Sequence, residues 1–94
     1  MALMHNPKTP ENAEILALEA LGWLAGEEDG FQMFMEQSGI DPGTLRQAAD
    51  SPGMAVAVLD FLLAHEDLLL RFCESASTSP KSLHLARHRL GGAV

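Results

Sequence analysis

Residues 24–45 read LAGEEDGFQMFMEQSGIDPGTL, and residues 62–83 read LLAHEDLLLRFCESASTSPKSL. Each stretch has a leucine, then Glu-Asp, then Phe-x-Glu and then Pro-x-x-Leu, and the two lie 38 residues apart. The same offset, extended along the chain, gives ten identities without a gap: Ala17/Ala55, Leu21/Leu59, Leu24/Leu62, Glu28/Glu66, Asp29/Asp67, Phe34/Phe72, Glu36/Glu74, Pro42/Pro80, Leu45/Leu83 and Ala48/Ala86. A shared amphipathic rhythm explains the leucines, but it does not explain why the prolines and the Glu-Asp pairs fall in one frame. The sequence therefore predicts an internal duplication, with one repeat at about 16–51 and another at about 54–89.

Four of the five prolines follow a residue that caps helices well: Thr9-Pro10, Asp41-Pro42, Ser51-Pro52 and Ser79-Pro80. The side-chain oxygen at such a position accepts a hydrogen bond from a backbone N–H that has no partner inside the helix. Proline at the next position loses nothing, because its missing N–H would have had no helical partner either. Each pair therefore predicts the start of a helix.

Six helices follow from these starts and from the spacing of apolar residues: about 10–25, a short second helix ending near 37, then 42–50, 52–64, 66–75 and 80–90. Ser38-Gly39 is predicted to end the second helix, with the glycine in a left-handed conformation. The predicted fold class is all-α, a compact six-helix domain built from two similar three-helix repeats. It would form a single helical domain at residues 10–94, after a flexible N-terminal arm at residues 1–9.

The apolar spacing also predicts which side chains are buried. The predicted faces are Ile15, Leu18, Leu21 and Leu24 or Ala25 in the first helix; Phe31, Phe34 and Met35 in the second; Leu45, Ala48 and Ala49 in the third; and Leu69, Phe72 and Cys73 in the fifth. The fourth helix is apolar nearly all round, which is typical of a helix at the centre of a bundle. An approximate two-fold axis, with the first and fourth helices at the centre, would make the counterparts Trp23 and Phe61 both core residues.

The net charge of −7 argues against nucleic acid and against an anionic membrane surface as partners. Both kinds of binding draw on Lys and Arg, and the chain has only six. The charges are unevenly placed, since Lys81 to Arg89 contains three bases, two histidines and no acid. A cationic last helix suits both the acidic body and its own C-terminal dipole. A docking site for an acidic partner is the alternative.

The single cysteine, Cys73, excludes an intrachain disulfide and fits a reducing compartment. The first ten residues contain neither a long apolar run nor a cationic segment of the kind found in signal peptides. No stretch approaches the roughly 20 apolar residues that span a bilayer. We therefore expect a cytoplasmic protein.

The stretches SGIDPGTLRQAADSPG and AVLDFLLAHEDLLLRF are the most distinctive parts of the chain. With the surrounding residues, from Ala17 to Leu90, they resemble a small bacterial family of a domain of unknown function, number three-five-seven-two. The resemblance implies a small helical protein. It implies no assigned activity, cofactor or site residue.

Asp60 is the lone charge in the apolar fourth helix. A buried carboxylate usually has a partner, and Arg46 and Arg71 are the candidates. The sequence therefore favours a structural ion pair over a catalytic acid.

The other residues that could carry chemistry have simpler structural interpretations. His84 and His88 have the i, i+4 spacing of metal ligands, but a zinc site needs at least three protein ligands, and no third Cys or His is close in sequence. Cys73 stands where the first repeat has Met35, so it is predicted to be a core residue and not a nucleophile. The acidic clusters at 27–29 and 66–67 suit the first turn of a helix. The sequence therefore predicts no catalytic, cofactor-binding or metal-binding residues, and folding that needs no metal or cofactor.

Two hypotheses of function remain. The first is a non-enzymatic protein-interaction module that presents a helical groove to an unknown protein partner or to a second copy of itself. The small size, the excess of Leu and Met and the lack of convergent polar residues favour it. The second is a small-ligand-binding or enzymatic domain that uses Asp60 and His65 in a cleft between the repeats. A closed interior around Asp60 would favour the first, and an open apolar pocket where Asp60 and His65 converge would favour the second.

Overall fold

Six α-helices form the structure of residues 13–91, the part of the chain that the computed structural model describes: α1 (Ala13–Ala25), α2 (Glu28–Ser38), α3 (Pro42–Ala48), α4 (Pro52–Ala64), α5 (Glu66–Ala76) and α6 (Pro80–Leu90). No strand occurs within this range, so the all-α prediction is confirmed. The predicted arm at residues 1–9 and the predicted helix start at Pro10 lie outside the described residues.

The three cap-proline pairs that the structure describes begin helices as predicted. The side chains of Asp41, Ser51 and Ser79 accept hydrogen bonds from the backbone N–H three residues on, at 2.7, 3.1 and 3.2 Å, and a proline follows each. Gly39 ends α2 with φ 72°, in the left-handed region, and donates its N–H to the Met35 carbonyl. These local signals explain why the predicted bounds of α4 and α6 match those observed.

Asp41 differs from the other two caps because it is charged. The backbone N–H and the side chain of Thr44 donate to its carboxylate and hold the pKa of Asp41 below its ordinary value of 3.8. A carboxyl whose pKa is lowered by folding stabilises the folded state above its unfolded pKa, and this contribution is lost as the pH falls through the folded pKa. The N-terminus of α3 is therefore expected to be sensitive to acid.

The substitution Asp41→Ser, which copies the cap of α6, is expected to remove this sensitivity. In the wild type, an acid titration followed by Cα chemical shifts should show α3 losing helicity before α6, because the Ser79 hydroxyl does not titrate. In the variant, α3 and α6 should respond to acid alike. Equal acid responses of α3 and α6 in the wild type would contradict this account of the cap.

The core lies where α1, α4 and α6 pack on one another, while α2 and α5 each pack on both α1 and α4. The buried apolar residues are Ala13, Leu16, Ala17, Ala20, Leu21, Leu24, Phe34, Met54, Ala55, Val58, Leu59, Phe61, Leu62, Leu68, Leu69, Phe72, Cys73, Leu83 and Ala86. The predicted central position of α4 and the predicted burial of Leu69, Phe72 and Cys73 are confirmed. In α2, Phe34 is buried, and Phe31 and Met35 are half-buried.

The predicted buried face of α1 is wrong in part. Leu21 and Leu24 are buried, but Ile15 and Leu18 are exposed, and Leu16 and the alanines of α1 are buried in their place. The helix sequence AEILALEALGWLA is apolar on nearly every side, so its spacing did not determine which face turns inward. Small residues on a buried helix face allow neighbouring helices to pack at short distances.

The predicted end of the third helix is also wrong. It ends at Ala48 instead of near Asp50, because the chain must turn at Ser51 to begin α4. Leu45, Ala48 and Ala49 are only half-buried. Within residues 13–91, α3 packs on no other helix as extensively as α6 packs on α1 and α4.

Contacts between the two halves follow the 38-residue offset. Trp23 packs on Phe72 with ring centroids 5.7 Å apart, and their counterparts Phe61 and Phe34 pack at 5.3 Å. A Cβ added at Gly30 would lie 3.2 Å from Cδ2 of Leu68, its own counterpart. Reciprocal contacts of this kind are those expected across a two-fold axis. Phe61 is buried as predicted, whereas its counterpart Trp23 is only half-buried and packs against the core from its edge. The superposition of whole repeats stays a prediction.

Candidate functional site

A groove runs between α1 and α4, and the connection from α3 to α4 also lines it. We call it the α1–α4 groove, and its volume is about 230 Å³. Its lining residues are Glu14, Ile15, Ala17, Leu18, Leu21, Ala49, Asp50, Ser51, Met54, Ala55 and Val58. Most of them are apolar, so the groove offers a hydrophobic surface with polar groups at few points.

Two large apolar side chains of this groove face solvent. Ile15 is 46% exposed and Leu18 is 47% exposed. The other large exposed apolar side chains in residues 13–91 are Leu70 at 49% and Leu85 at 40%, on α5 and α6. The α1–α4 groove is thus where two such side chains meet a concave apolar surface.

The charges at the α1–α4 groove are all negative. Glu14 and Asp50 line it, and no Lys or Arg is among its lining residues. The same wall of the groove, α1, also carries Glu19 and no basic residue. An anionic rim around an apolar floor favours an occupant that is apolar on one face and cationic at its edges.

A second, more open groove lies between α2 and α4, with a volume of about 290 Å³. Its lining residues are Phe34, Gln37, Ser38, Ala57, Asp60, Phe61 and Ala64. This α2–α4 groove contains Asp60, so it is the place where the predicted cleft between the repeats would have to form.

Asp60 forms an ion pair, as predicted, but its predicted burial and its predicted partners, Arg46 or Arg71, are wrong. The Asp60 side chain is 54% exposed, and the Arg87 Nε donates to its Oδ1 at 2.7 Å. Arg71 instead binds Glu27 at 2.9 Å, and Arg46 lies on the peripheral helix α3. Asp60 lies on the side of α4 that faces α6. The sequence of α4 alone does not show which helix packs on that side, so it could not identify Arg87 as the partner. Ion pairs this exposed are typically worth about 0–1 kcal/mol.

His65 has a structural position at the junction of α4 and α5. Its Nδ1 donates to the Phe61 carbonyl at 2.8 Å, and its ring lies 4.3 Å from the ring of Phe61, between centroids. Its Nε2 is 3.5 Å from Nε2 of Gln37. His65 does not line the α2–α4 groove. The structure therefore does not bring Asp60 and His65 together at one open pocket.

The other residues considered for chemistry occupy positions with structural roles. His84 and His88 are exposed on α6, and no group of three or more His, Cys, Asp or Glu that could hold a metal ion occurs in residues 13–91. Burial raises the pKa of the Cys73 thiol, so this side chain stays protonated at neutral pH. The acidic pairs Glu28-Asp29 and Glu66-Asp67 lie in the first turns of α2 and α5, as predicted.

No helix in the described range is long and apolar enough to cross a bilayer.

Comparison with known proteins gives one result. The family described as a protein of unknown function (DUF3572) matches the chain over residues 10–93. This match confirms the resemblance that the sequence suggested. No curated protein and no solved structure matches the chain.

Proposed function

The chain belongs to the DUF3572 family, and we propose that it is a non-enzymatic protein-interaction module that binds a protein partner through the α1–α4 groove. The observation that carries this proposal is the exposure of Ile15 and Leu18 beside a concave apolar surface. Exposed apolar patches next to a groove are typical of sites where another chain binds.

The polar groups of the α1–α4 groove support binding and not catalysis. Glu14 and Asp50 are the charged residues that line it, and the Ser51 hydroxyl already accepts the N–H of Met54 to cap α4. An enzyme site normally combines a nucleophile or base with groups that orient it. The lining of this groove contains no such set.

A ligand-binding or enzymatic role for Asp60 and His65 has less support. Asp60 already binds Arg87, and His65 uses its Nδ1 on the Phe61 carbonyl. Both side chains thus already have partners within the chain. We also propose a location in the cytoplasm, which rests on the use of a single, buried cysteine.

Site-specific photo-crosslinking in the native cell tests the proposed function. A photo-crosslinking amino acid is placed, one position at a time, at Ile15, Leu18, Leu70 and Leu85, the exposed large apolar residues. The exposed residue Gln32 on α2 is the control position. We expect a discrete protein adduct at Leu18 and none at Gln32. A lack of protein adducts at both Ile15 and Leu18 would overturn the proposed function, even if Leu70 or Leu85 gave an adduct.

A further inference from the structure

We infer that the α1–α4 groove binds a basic amphipathic helix of a partner protein, in the manner in which α6 packs on α1 and α4 within this chain. This inference rests on the proposed function and specifies the chemistry of the partner. Its first support is the internal repeat, its second is the composition of α6, and its third is the charge of the groove.

The internal repeat relates the groove to the position of α6. At the 38-residue offset, the lining residues Ala49, Asp50 and Ser51 correspond to Arg87, His88 and Arg89. These residues lie in the last turn of α6, which runs on to Leu90, whereas α3 ends at Ala48. If the two halves are related as the 38-residue offset predicts, the first half lacks about one helical turn that the second half has at this point. The groove would then lie where that missing turn would pack.

The helix α6 shows what kind of segment the counterpart surface accepts. It buries Leu83 and Ala86 against the core, and both are fully inaccessible to solvent. Its other faces carry the basic side chains, and Arg87 binds Asp60 on α4. A narrow apolar stripe of small and medium side chains, with cations at its edges, is therefore the pattern that packs on α1 and α4.

The charge of the groove selects the same pattern. Glu14 and Asp50 lie at its rim, and the chain from 13 to 45 contains no Lys or Arg. A basic helix would place its cations against these carboxylates, and an acidic helix would be repelled. The α1 wall from Glu14 to Leu21 is about 10 Å long, which matches about two helical turns of the occupant. Such a segment would use anchors at i and i+3 or i+4.

A synthetic peptide with the sequence of residues 79–91, SPKSLHLARHRLG, serves as the probe for this inference. It is titrated into the isotopically labelled full chain and followed by NMR, beside a control peptide in which both residues equivalent to Arg87 and Arg89 are glutamate. We expect shift changes at Ile15, Leu18 and Met54, and binding about tenfold weaker for the control peptide.

Two variants of the full chain distinguish peptide binding in the α1–α4 groove from nonspecific hydrophobic binding. Leu18→Glu should weaken peptide binding by about tenfold or more, because it puts a charge on the apolar surface. Leu70→Glu, at a leucine of nearly equal exposure on α5, should leave binding unchanged. Equal binding by the two variants, or shift changes confined to the α2–α4 groove or to the resident α6, would overturn the inference.

The crosslinking and peptide-binding experiments distinguish a failure of the proposed function from a failure of the inference. Protein adducts at Leu70 or Leu85 but not at Ile15 or Leu18 would overturn both the proposed function of this groove and the inference. An adduct at Leu18 with a second copy of the chain, in place of a basic segment of another protein, would also reject the inference. Adducts at Leu18 whose partner peptide carries a basic amphipathic helix would support both.

Discussion

Replacing Phe61 with alanine is expected to lower the free energy of unfolding by about 3–5 kcal/mol. Phe61 is only 6% exposed, and its ring packs edge-on against Phe34 with the His65 ring on another side. Removing it would leave a cavity in the core and two aromatic neighbours without their contact. Chemical denaturation followed by circular dichroism measures the loss, which is a large part of the stability of so small a domain.

Trp23→Ala is the matched control, because the 38-residue offset relates Trp23 to Phe61. Trp23 is half-buried, with Phe72 on one side and the Arg71 guanidinium 5.9 Å from its ring centroid. We therefore expect a smaller loss of stability than for Phe61→Ala. Equal losses would mean that the two aromatic sites are equivalent in energy, contrary to the difference in their burial.

Replacing Leu83 with alanine should cost about 2–5 kcal/mol, since its side chain is fully buried where α6 meets α1 and α4. Its counterpart Leu45, on α3, is half-buried, so Leu45→Ala should cost only about 1 kcal/mol. The same denaturation measurement serves for both variants. A larger loss for Leu45→Ala than for Leu83→Ala would show that α3, and not α6, contributes more to the core.

The helix bounds could be predicted from the sequence because they depend on local chemistry. At Ser51-Pro52 and Ser79-Pro80, the serine hydroxyl starts a helix by accepting a hydrogen bond from the backbone N–H three residues further on. Gly39 ends a helix through its positive φ. None of these signals requires knowledge of distant parts of the chain.

The buried faces were harder to predict because they depend on which helices meet. The apolar residues of α1 surround the helix, so the choice of Leu16 over Ile15 for the core is made by the positions of α4 and α6. The partner of Asp60 depends on α6 in the same way.

The α1–α4 groove could not be found from the sequence for a related reason. Its lining includes residues 49–51, the connection that follows the end of α3 at Ala48, whereas the sequence pattern had suggested that α3 continues to Asp50. The signal that could have pointed to it is the surplus of apolar positions on α1. One buried face of a helix does not need all of these apolar residues, and Ile15 and Leu18 are the large ones that remain exposed.

The contact between Gly30 and Leu68 has a consequence for how these two positions can vary among relatives. The leucine fills space that any side chain at position 30 would need, because a Cβ there would lie 3.2 Å from Cδ2 of Leu68 and 3.3 Å from Cδ1 of Leu24. Enlarging position 30 alone would require the side chains of Leu24 and Leu68 to shift by a few tenths of an ångström. Reducing position 68 at the same time would make room for it. Positions 30 and 68 are therefore expected to change together, with their combined side-chain volume nearly constant, so each half of the domain limits the evolution of the other.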